Sequence, residues 1–380
     1  MRQPRSIFKG VSLLNLSPES FFNFENVGRS IEELETPVPL IDIAIMENNL
    51  KNWQAQCNKL KINNRPHIKT HKLIPVAKLQ IALGASGISV QKLGEAEVMA
   101  DAGIDDIFLT YNVVGQHKLA RLADLTRRVD ISVVADHAII VEGLSQAGIA
   151  AGRNITVLVE CDTGGERNGV QSPAEACRLA MLIDKTPGLK FGGLMTYPAA
   201  FAREKAKAFI AETKQLLAKA GLECARVSTG GSKDLWDEKN LDGVTEYRAG
   251  TYVYFDRSLV QAGACSFADC AETVLTTIVS TPVPARAIID AGSKALTSDL
   301  LGLAGYGVVQ DLDMAQVYNV NEEHGYLDLK NTNKRPRIGA VIKVTPNHVC
   351  PVNNLFDKVV FVRGSEVLGA VKVDARGKVQ

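Results

Sequence analysis

The run Arg65-Pro-His-Ile-Lys-Thr-His-Lys72 sets one lysine, Lys69, between His67 and His71. A primary amine in that setting can attack a carbonyl and form an imine, and cationic neighbours lower its pKa and free it for the attack. Near the other end of the chain, Asn347-His-Val-Cys-Pro351 puts His348 and Cys350 two residues apart. On a strand that spacing turns both side chains to one face. Imidazole with thiolate suits zinc, with manganese or magnesium as alternatives, and two protein ligands leave an ion open to water and substrate. Together the segments point to amine chemistry assisted by a Lewis acid. Each also has an ordinary reading: a surface lysine in a basic loop, and a His and a Cys in a β-domain core.

Two glycine-rich turns offer backbone N–H groups and hydroxyls without side-chain bulk, which suits a phosphate dianion. They are Ser228-Thr229-Gly230-Gly231-Ser232 and Arg248-Ala249-Gly250-Thr251-Tyr252. Glycines also simply make turns; it is their place after late barrel strands that favours phosphate. Arg167, in Glu160-Cys-Asp-Thr-Gly-Gly-Glu-Arg-Asn-Gly169, is suited to keep a phenolate oxygen ionised, or else to pair with Asp162 or Glu166. Tyr197 packs on an aromatic cofactor or fills the mouth of a barrel.

The elements that must position these residues alternate. Short apolar runs at 38–43, 66–70, 87–90, 106–110, 131–135, 155–160, 191–196 and 225–228 are separated by helical stretches such as 44–60, 92–101, 116–127, 174–184 and 202–220. Eight strands alternating with helices predict an α/β fold, a (β/α)8 TIM barrel. No GxGxxG follows the first strand, which argues against a dinucleotide fold. Lys69 then falls at the C-terminal end of the second strand, where barrels carry their chemistry. From about residue 255 the texture becomes a succession of eight short strands, at 274–279, 286–290, 308–311, 315–319, 325–329, 337–344, 358–363 and 366–373, which predicts a mostly antiparallel β domain. The expected division is an N-terminal arm over 1–35, a barrel over 36–258 and a β domain over 259–380.

Bulk properties narrow the function classes. A chain of 380 residues with net charge +1 has no basic surplus for nucleic acid or a membrane surface. It has no apolar stretch of about 18 residues to span a bilayer and no signal-peptide pattern at its start. Seven scattered cysteines do not form a disulfide framework and fit a reducing cytoplasm.

Taken together, the motifs resemble the D-serine dehydratase and D-threonine aldolase family, pyridoxal-phosphate enzymes with an alanine-racemase-type barrel and a C-terminal β domain. The resemblance rests on Thr36-Pro-Val-Pro-Leu-Ile-Asp42, Arg65–Lys72, Leu93-Gly-Glu-Ala-Glu97, Ser228-Thr-Gly-Gly231, Gly250-Thr-Tyr252 and Pro346-Asn-His-Val-Cys-Pro351, and does not cover residues 1–35. It implies that Lys69 holds pyridoxal 5'-phosphate as an imine. Arg167 would lie at the cofactor's phenolic oxygen and Tyr197 at its ring. Ser228, Thr229, Gly230, Gly250, Thr251 and Tyr252 would form the phosphate cup, and His348 with Cys350 would bind a divalent metal. A homodimer is implied by the same analogy.

The expected reaction is loss of water and ammonia from a D-amino acid bearing a β-hydroxyl, such as D-serine, D-threonine or D-3-hydroxyaspartate. The family's aldolases tend to carry aspartate where this chain has Cys350, which favours dehydration over release of glycine and an aldehyde. A substrate with a second carboxylate would need a further cation, for which Arg257 and Lys294 are candidates. A racemase would need a second acid–base group, Tyr306 or Tyr318, yet would leave His348 and Cys350 unexplained. A non-catalytic cofactor carrier would have no use for a second domain.

Overall fold

An apolar run buried on both faces does not reveal which sheet it joins, and the first strand, β1 (Val38–Asp42), shows the consequence. Expected to open the barrel, it instead pairs antiparallel with Glu272–Val283 and parallel with Lys358–Arg363. The structure, a computed structural model, describes residues 12, 13, 27–201, 203–238 and 241–380. Two units emerge. One comprises Met1–Asn52, Thr70–Leu79 and Thr251–Gly377; the other comprises Trp53–Lys69, Gln80–Gly250 and Lys378–Gln380. Most of the expected N-terminal arm, Phe21 and Phe22 included, lies outside the described residues.

The second of these units is a parallel barrel. Its strands are β2 (Asn63–Asn64), β3 (Ile88–Val90), β4 (Asp106–Leu109), β5 (Asp130–Ala135), β6 (Ile155–Cys161), β7 (Leu189–Thr196), β8 (Arg226–Thr229) and β9 (Glu246–Tyr247). They run in the order β2-β9-β8-β7-β6-β5-β4-β3. Closure comes just past β2: His67 bridges Ser89 of β3, Ser89 N–H donates to Pro66 C=O at 2.8 Å, and Ile68 N–H donates to Ser89 C=O at 2.9 Å. The eighth strand is therefore Glu246–Tyr247, two residues with no apolar run to announce them, and not the 38–43 segment.

Local signals set the helices between strands. Helix Pro173–Lys185 starts with proline in its first turn and a reciprocal cap, in which Ser172 Oγ accepts Glu175 N–H at 3.3 Å and Glu175 Oε2 accepts Ser172 N–H at 3.2 Å. Gly193 of β7 has φ +131°, and a Cβ there would lie 1.9 Å from Arg226 C=O, so only glycine lets β7 and β8 meet. Inside, Phe108, Val134, Leu158 and Met195 form one buried apolar layer from four adjacent strands.

On the N-terminal side of this layer the barrel interior turns ionic. Glu246 Oε2 accepts from Arg65 Nε at 2.6 Å, and its Oε1 accepts from Arg226 at 2.7 Å and from Ser228 Oγ at 2.5 Å. Arg65 also forks onto Asp106 at 2.6 and 2.9 Å. The Arg226 guanidinium stacks 4.3 Å from the Phe108 ring.

The other unit is a nine-stranded sheet that adds β10 (Glu272–Val283), β11 (Arg286–Ile289), β12 (Gly307–Val309), β13 (Ala315–Val320), β14 (Gly325–Asp328), β15 (Val341–Pro346), β16 (Lys358–Arg363) and β17 (Glu366–Lys372). The order is β11-β14-β13-β12-β15-β10-β1-β16-β17, with β11 also on β10. All pairs are antiparallel except β1 with β16. Register shifts near Ser280 bend β10, so that it serves both β15 and β11. Its core includes Val274, Ile278, Val309, Val317, Leu327 and Val344. The eight strands expected after residue 259 are all present. No described helix is long and apolar enough to cross a membrane, and all seven cysteines are free.

Candidate functional site

Parallel strands bring their C-terminal ends to one rim, and the barrel's rim gathers most of the expected cofactor residues. Lys69 lies two residues past the His67–Ser89 seam, in a turn and not in the strand expected there. It is half-buried, and its amine has no hydrogen-bond or ion-pair partner among the described residues. His67 is fully engaged beside it: Nδ1 faces the Lys69 N–H at 3.4 Å, and Nε2 lies 3.1 Å from Gln91 Oε1 and 3.2 Å from Thr110 Oγ1.

Arg167 and Tyr197 come together on the loops after β6 and β7. The guanidinium carbon lies 4.9 Å from the Tyr197 ring centre, and Arg167 Nε donates to Asn168 Oδ1 at 3.0 Å. Both side chains are exposed at the rim. After β8, Gly230 packs so closely that a Cβ would sit 3.1 Å from Arg248 C=O, and Gly231 has φ +129°. Thr229 is buried and accepts the Arg248 N–H at 2.8 Å. Ser228 Oγ is occupied, donating to Glu246 and accepting from Arg248 at 2.7 Å. Gly250 ends this unit, while Thr251 and Tyr252 open the 3-10 turn Thr251–Val253 of the other.

Two rim groups escaped the sequence reading. Arg248 is buried, yet no carboxylate touches it among the described residues; its partners are Ser228 Oγ, Thr196 C=O at 3.1 Å and the Met195 sulfur at 3.0 Å. Burial pulls its pKa down to about 10. A guanidinium held this way suits an anionic guest. Glu160 is buried as well, with Oε1 3.9 Å from Arg167 and Oε2 without a hydrogen-bond partner among the described residues. Burial, with Asp136, outweighs Arg167 and lifts its carboxyl to about 7. Either residue sits next to a quoted motif, but its burial is visible only in three dimensions.

The raised Glu160 carboxyl predicts a pH signature. The unfolded chain ionises it near 4.5, so between there and about 7 the folded chain holds the extra proton. Stability from this group therefore falls as pH rises through that window and is flat above it. Glu160→Gln should gain stability over wild type between pH 5 and pH 8, by up to about 3 kcal/mol. Denaturant midpoints of both proteins at the two pH values check this; an equal difference at both would refute it.

The His348–Cys350 pair lies in the β unit but not on a strand. Strand β15 ends at Pro346; His348 has extended backbone, φ −145°, and caps helix Val349–Leu355, in which Cys350 is the second residue. The two side chains approach each other across this strand-to-helix junction. Cys350 Sγ also lies 3.2 Å from Thr70 Oγ1 and 3.7 Å from Thr251 Oγ1. His348 Nδ1 lies 2.6 Å from Asp299 Oδ2. Burial works against the charged ring, but Cys350 and Asp299 raise its pKa to about 9. Among the described residues no group of three or more His, Cys, Asp or Glu side chains is arranged to hold an ion. One imidazole steadied by a carboxylate, plus one thiol, fits a two-ligand, open ion site.

The remaining candidates are committed elsewhere. Arg257 donates to Ala304 C=O at 2.7 Å and Asn347 Oδ1 at 3.0 Å, and Lys294 pairs with Glu323 at 2.6 Å. Tyr306 packs on the β-unit core, and Tyr318 sits edge-on to Tyr326.

Comparison with known proteins is consistent over most of the chain. Residues 41–258 match the family model "Alanine racemase, N-terminal domain", and residues 271–362 match "Putative serine dehydratase domain". A D-threonine aldolase of Arthrobacter sp. is 34% identical, covering 92% of this chain and 95% of the relative. The crystal structure of D-threonine aldolase from Filomicrobium marinum superposes with TM-score 0.87 at 32% identity, over 93% of this chain and 99% of that one. D-threo-3-hydroxyaspartate dehydratase from Delftia sp. HT23 superposes with TM-score 0.81 at 30% identity, over 90% and 98%. A D-threo-3-hydroxyaspartate dehydratase has also been solved with a histidine, and with a cysteine two positions later, each replaced by alanine, the latter in a metal-free form. By fold, domain matches and relatives, this chain belongs to the alanine-racemase-type family that includes D-threonine aldolase, D-threo-3-hydroxyaspartate dehydratase and D-serine dehydratase.

Proposed function

We propose that the protein is a lyase dependent on pyridoxal 5'-phosphate and a divalent metal, which removes water and then ammonia from D-amino acids with a β-hydroxyl group. Its substrates are D-serine, D-threonine or D-3-hydroxyaspartate, and its products a 2-oxo acid and ammonia. The observation that carries this reading is the half-buried amine of Lys69, unpartnered among the described residues, on the rim of an alanine-racemase-type barrel. Pyridoxal phosphate, when bound, supplies an electron sink for charge at the substrate's Cα. Lys69 would hold it through its amine and would serve as the general base for the Cα proton. Arg167 would donate to its phenolic oxygen, and Tyr197 would pack on its ring. Thr229, Gly230, Gly250, Thr251 and Tyr252 hold the phosphate, with the Ser228 hydroxyl contributing least because Glu246 already takes its proton.

His348 and Cys350 hold the metal, which when bound supplies a Lewis acid for the departing β-oxygen, since hydroxide alone leaves poorly. Zinc suits a thiolate–imidazole pair, with manganese or magnesium as alternatives. The D-threo-3-hydroxyaspartate dehydratase, with its histidine and cysteine at the same spacing, supports dehydration. Aldol cleavage to glycine and an aldehyde is the second reading, favoured by the identity to the Arthrobacter aldolase. We assign cofactor binding to 36–258 and metal binding to 259–380, in a cytoplasmic homodimer.

Product analysis with the three D-amino acids tests the reading. Keto acid plus ammonia is expected; glycine plus aldehyde would establish the second reading instead. A chelator should lower turnover by about 100-fold, from several kcal/mol of lost charge stabilisation, while the cofactor's visible absorbance persists. Undiminished turnover after chelation would remove the metal from the mechanism.

A further inference from the structure

A histidine that binds a metal through one nitrogen works best when the other nitrogen is held by an acceptor, which selects the tautomer, fixes the ring and raises its basicity. His348 has such a partner 49 residues away in the chain: Asp299 Oδ2, at 2.6 Å from Nδ1. A carboxylate only accepts, so the proton between them belongs to Nδ1, and Nε2 is left to ligate.

Asp299 is not a loose surface carboxylate that happens to be near. It lies on a strap, residues 297–306, that the His348 segment itself grips. Asn347, the residue before His348, is buried and donates to Gly305 C=O at 2.7 Å and to Leu300 C=O at 3.4 Å. Arg257 ties Ala304 C=O of the strap to Asn347 Oδ1, at 2.7 and 3.0 Å. Within the strap, Thr297 takes the unusual φ of +67° and its Oγ1 accepts the Asp299 N–H at 2.8 Å. Strap and ligand segment are thus stapled just after Asp299 in the strap and just before His348 in the segment. An ordinary exposed ion pair needs no such support, and would contribute little on its own.

We propose that Asp299 is the positioning residue of the metal centre: through Nδ1 it holds the His348 imidazole in the tautomer and orientation that present Nε2 to the ion. The inference rests on the reading of His348 and Cys350 as metal ligands.

Competition with a chelating dye on the full-length protein, using Zn²⁺ and Mn²⁺ as probes, tests it across wild type, Asp299→Ala, Asp299→Asn and His348→Ala. Asp299→Ala should weaken both ions by about 10- to 100-fold. Asp299→Asn should lose less, because its amide oxygen still accepts the Nδ1 proton. In ¹⁵N spectra of the Zn²⁺-loaded protein, the His348 Nδ1–H signal should be hydrogen-bonded in wild type and shifted in Asp299→Ala. If wild type and His348→Ala bind the ions equally, the metal reading itself fails and the inference with it. If His348→Ala loses the ion while Asp299→Ala binds as wild type does, with its Nδ1–H signal unmoved, Asp299 has no positioning role and the metal reading stands. Should Asp299→Ala fail to fold, Asp299→Leu, of nearly the same shape but with no acceptor for the Nδ1 proton, decides instead: wild-type affinity there overturns the proposal.

Discussion

Lys69→Ala should lower turnover of a D-β-hydroxy amino acid by about 100- to 10,000-fold, the range that a positioned general base contributes. It should also abolish the visible absorbance of covalently held pyridoxal phosphate. Two roles are lost at once. Nothing among the described residues occupies the Lys69 amine, so no structural contact is sacrificed and the fold should survive, as circular dichroism and the melting temperature can show. A retained cofactor band in this variant would contradict the assignment outright. The neighbouring lysine provides a contrast. Lys72 donates to Asn354 Oδ1 at 3.0 Å and to Ala375 C=O at 3.4 Å, so Lys72→Ala should act on stability and leave the absorbance in place.

The largest effect on stability is expected at Glu246. Its buried carboxylate is shared by Arg65, Arg226 and Ser228. Burial alone would raise its pKa, but the two arginines outweigh it and hold the group ionised below its ordinary range. Glu246→Ala strands two guanidinium groups inside the barrel, and breaking a buried pair in this way costs about 3–5 kcal/mol. Arg65 keeps Asp106, and Arg226 keeps Ser132 Oγ at 3.1 Å, so Arg226 is left the more exposed to the loss. Arg248, already pulled down by burial and helped by the Glu246 charge, should become harder still to keep protonated. Denaturant unfolding of Glu246→Ala against wild type measures the cost. A loss below about 1 kcal/mol, the scale of a solvated surface pair, would mean that water screens this cluster.

Much of the architecture was legible because apolar alternation is a local property. All eight strands after residue 259 appear near their expected places, as do the helices around the barrel. The errors have one cause. Strand β1 is an apolar run whose sheet is decided by partners far along the chain, and β9 is a strand made of a glutamate and a tyrosine, whose strand character comes from its neighbours β2 and β8. Of the proposed site, Lys69 and the His348–Cys350 pair could be singled out in the sequence because each is a compact motif. The reason given for the latter was mistaken: a strand-to-helix junction, not strand alternation, brings ring and thiol together. Asp299, Arg248 and Glu160 carry no local mark, since each becomes informative only through what burial or folding places against it.

The seam between His67 and Ser89 links assembly to readiness for work. The sheet is completed by hydrogen bonds from Pro66 and Ile68, and the turn that carries Lys69 begins at once. A barrel with seven of its junctions made but this one open would have most of its core and no aimed amine. On the role proposed for Lys69, capture of the cofactor should therefore require this junction of the cylinder to be made.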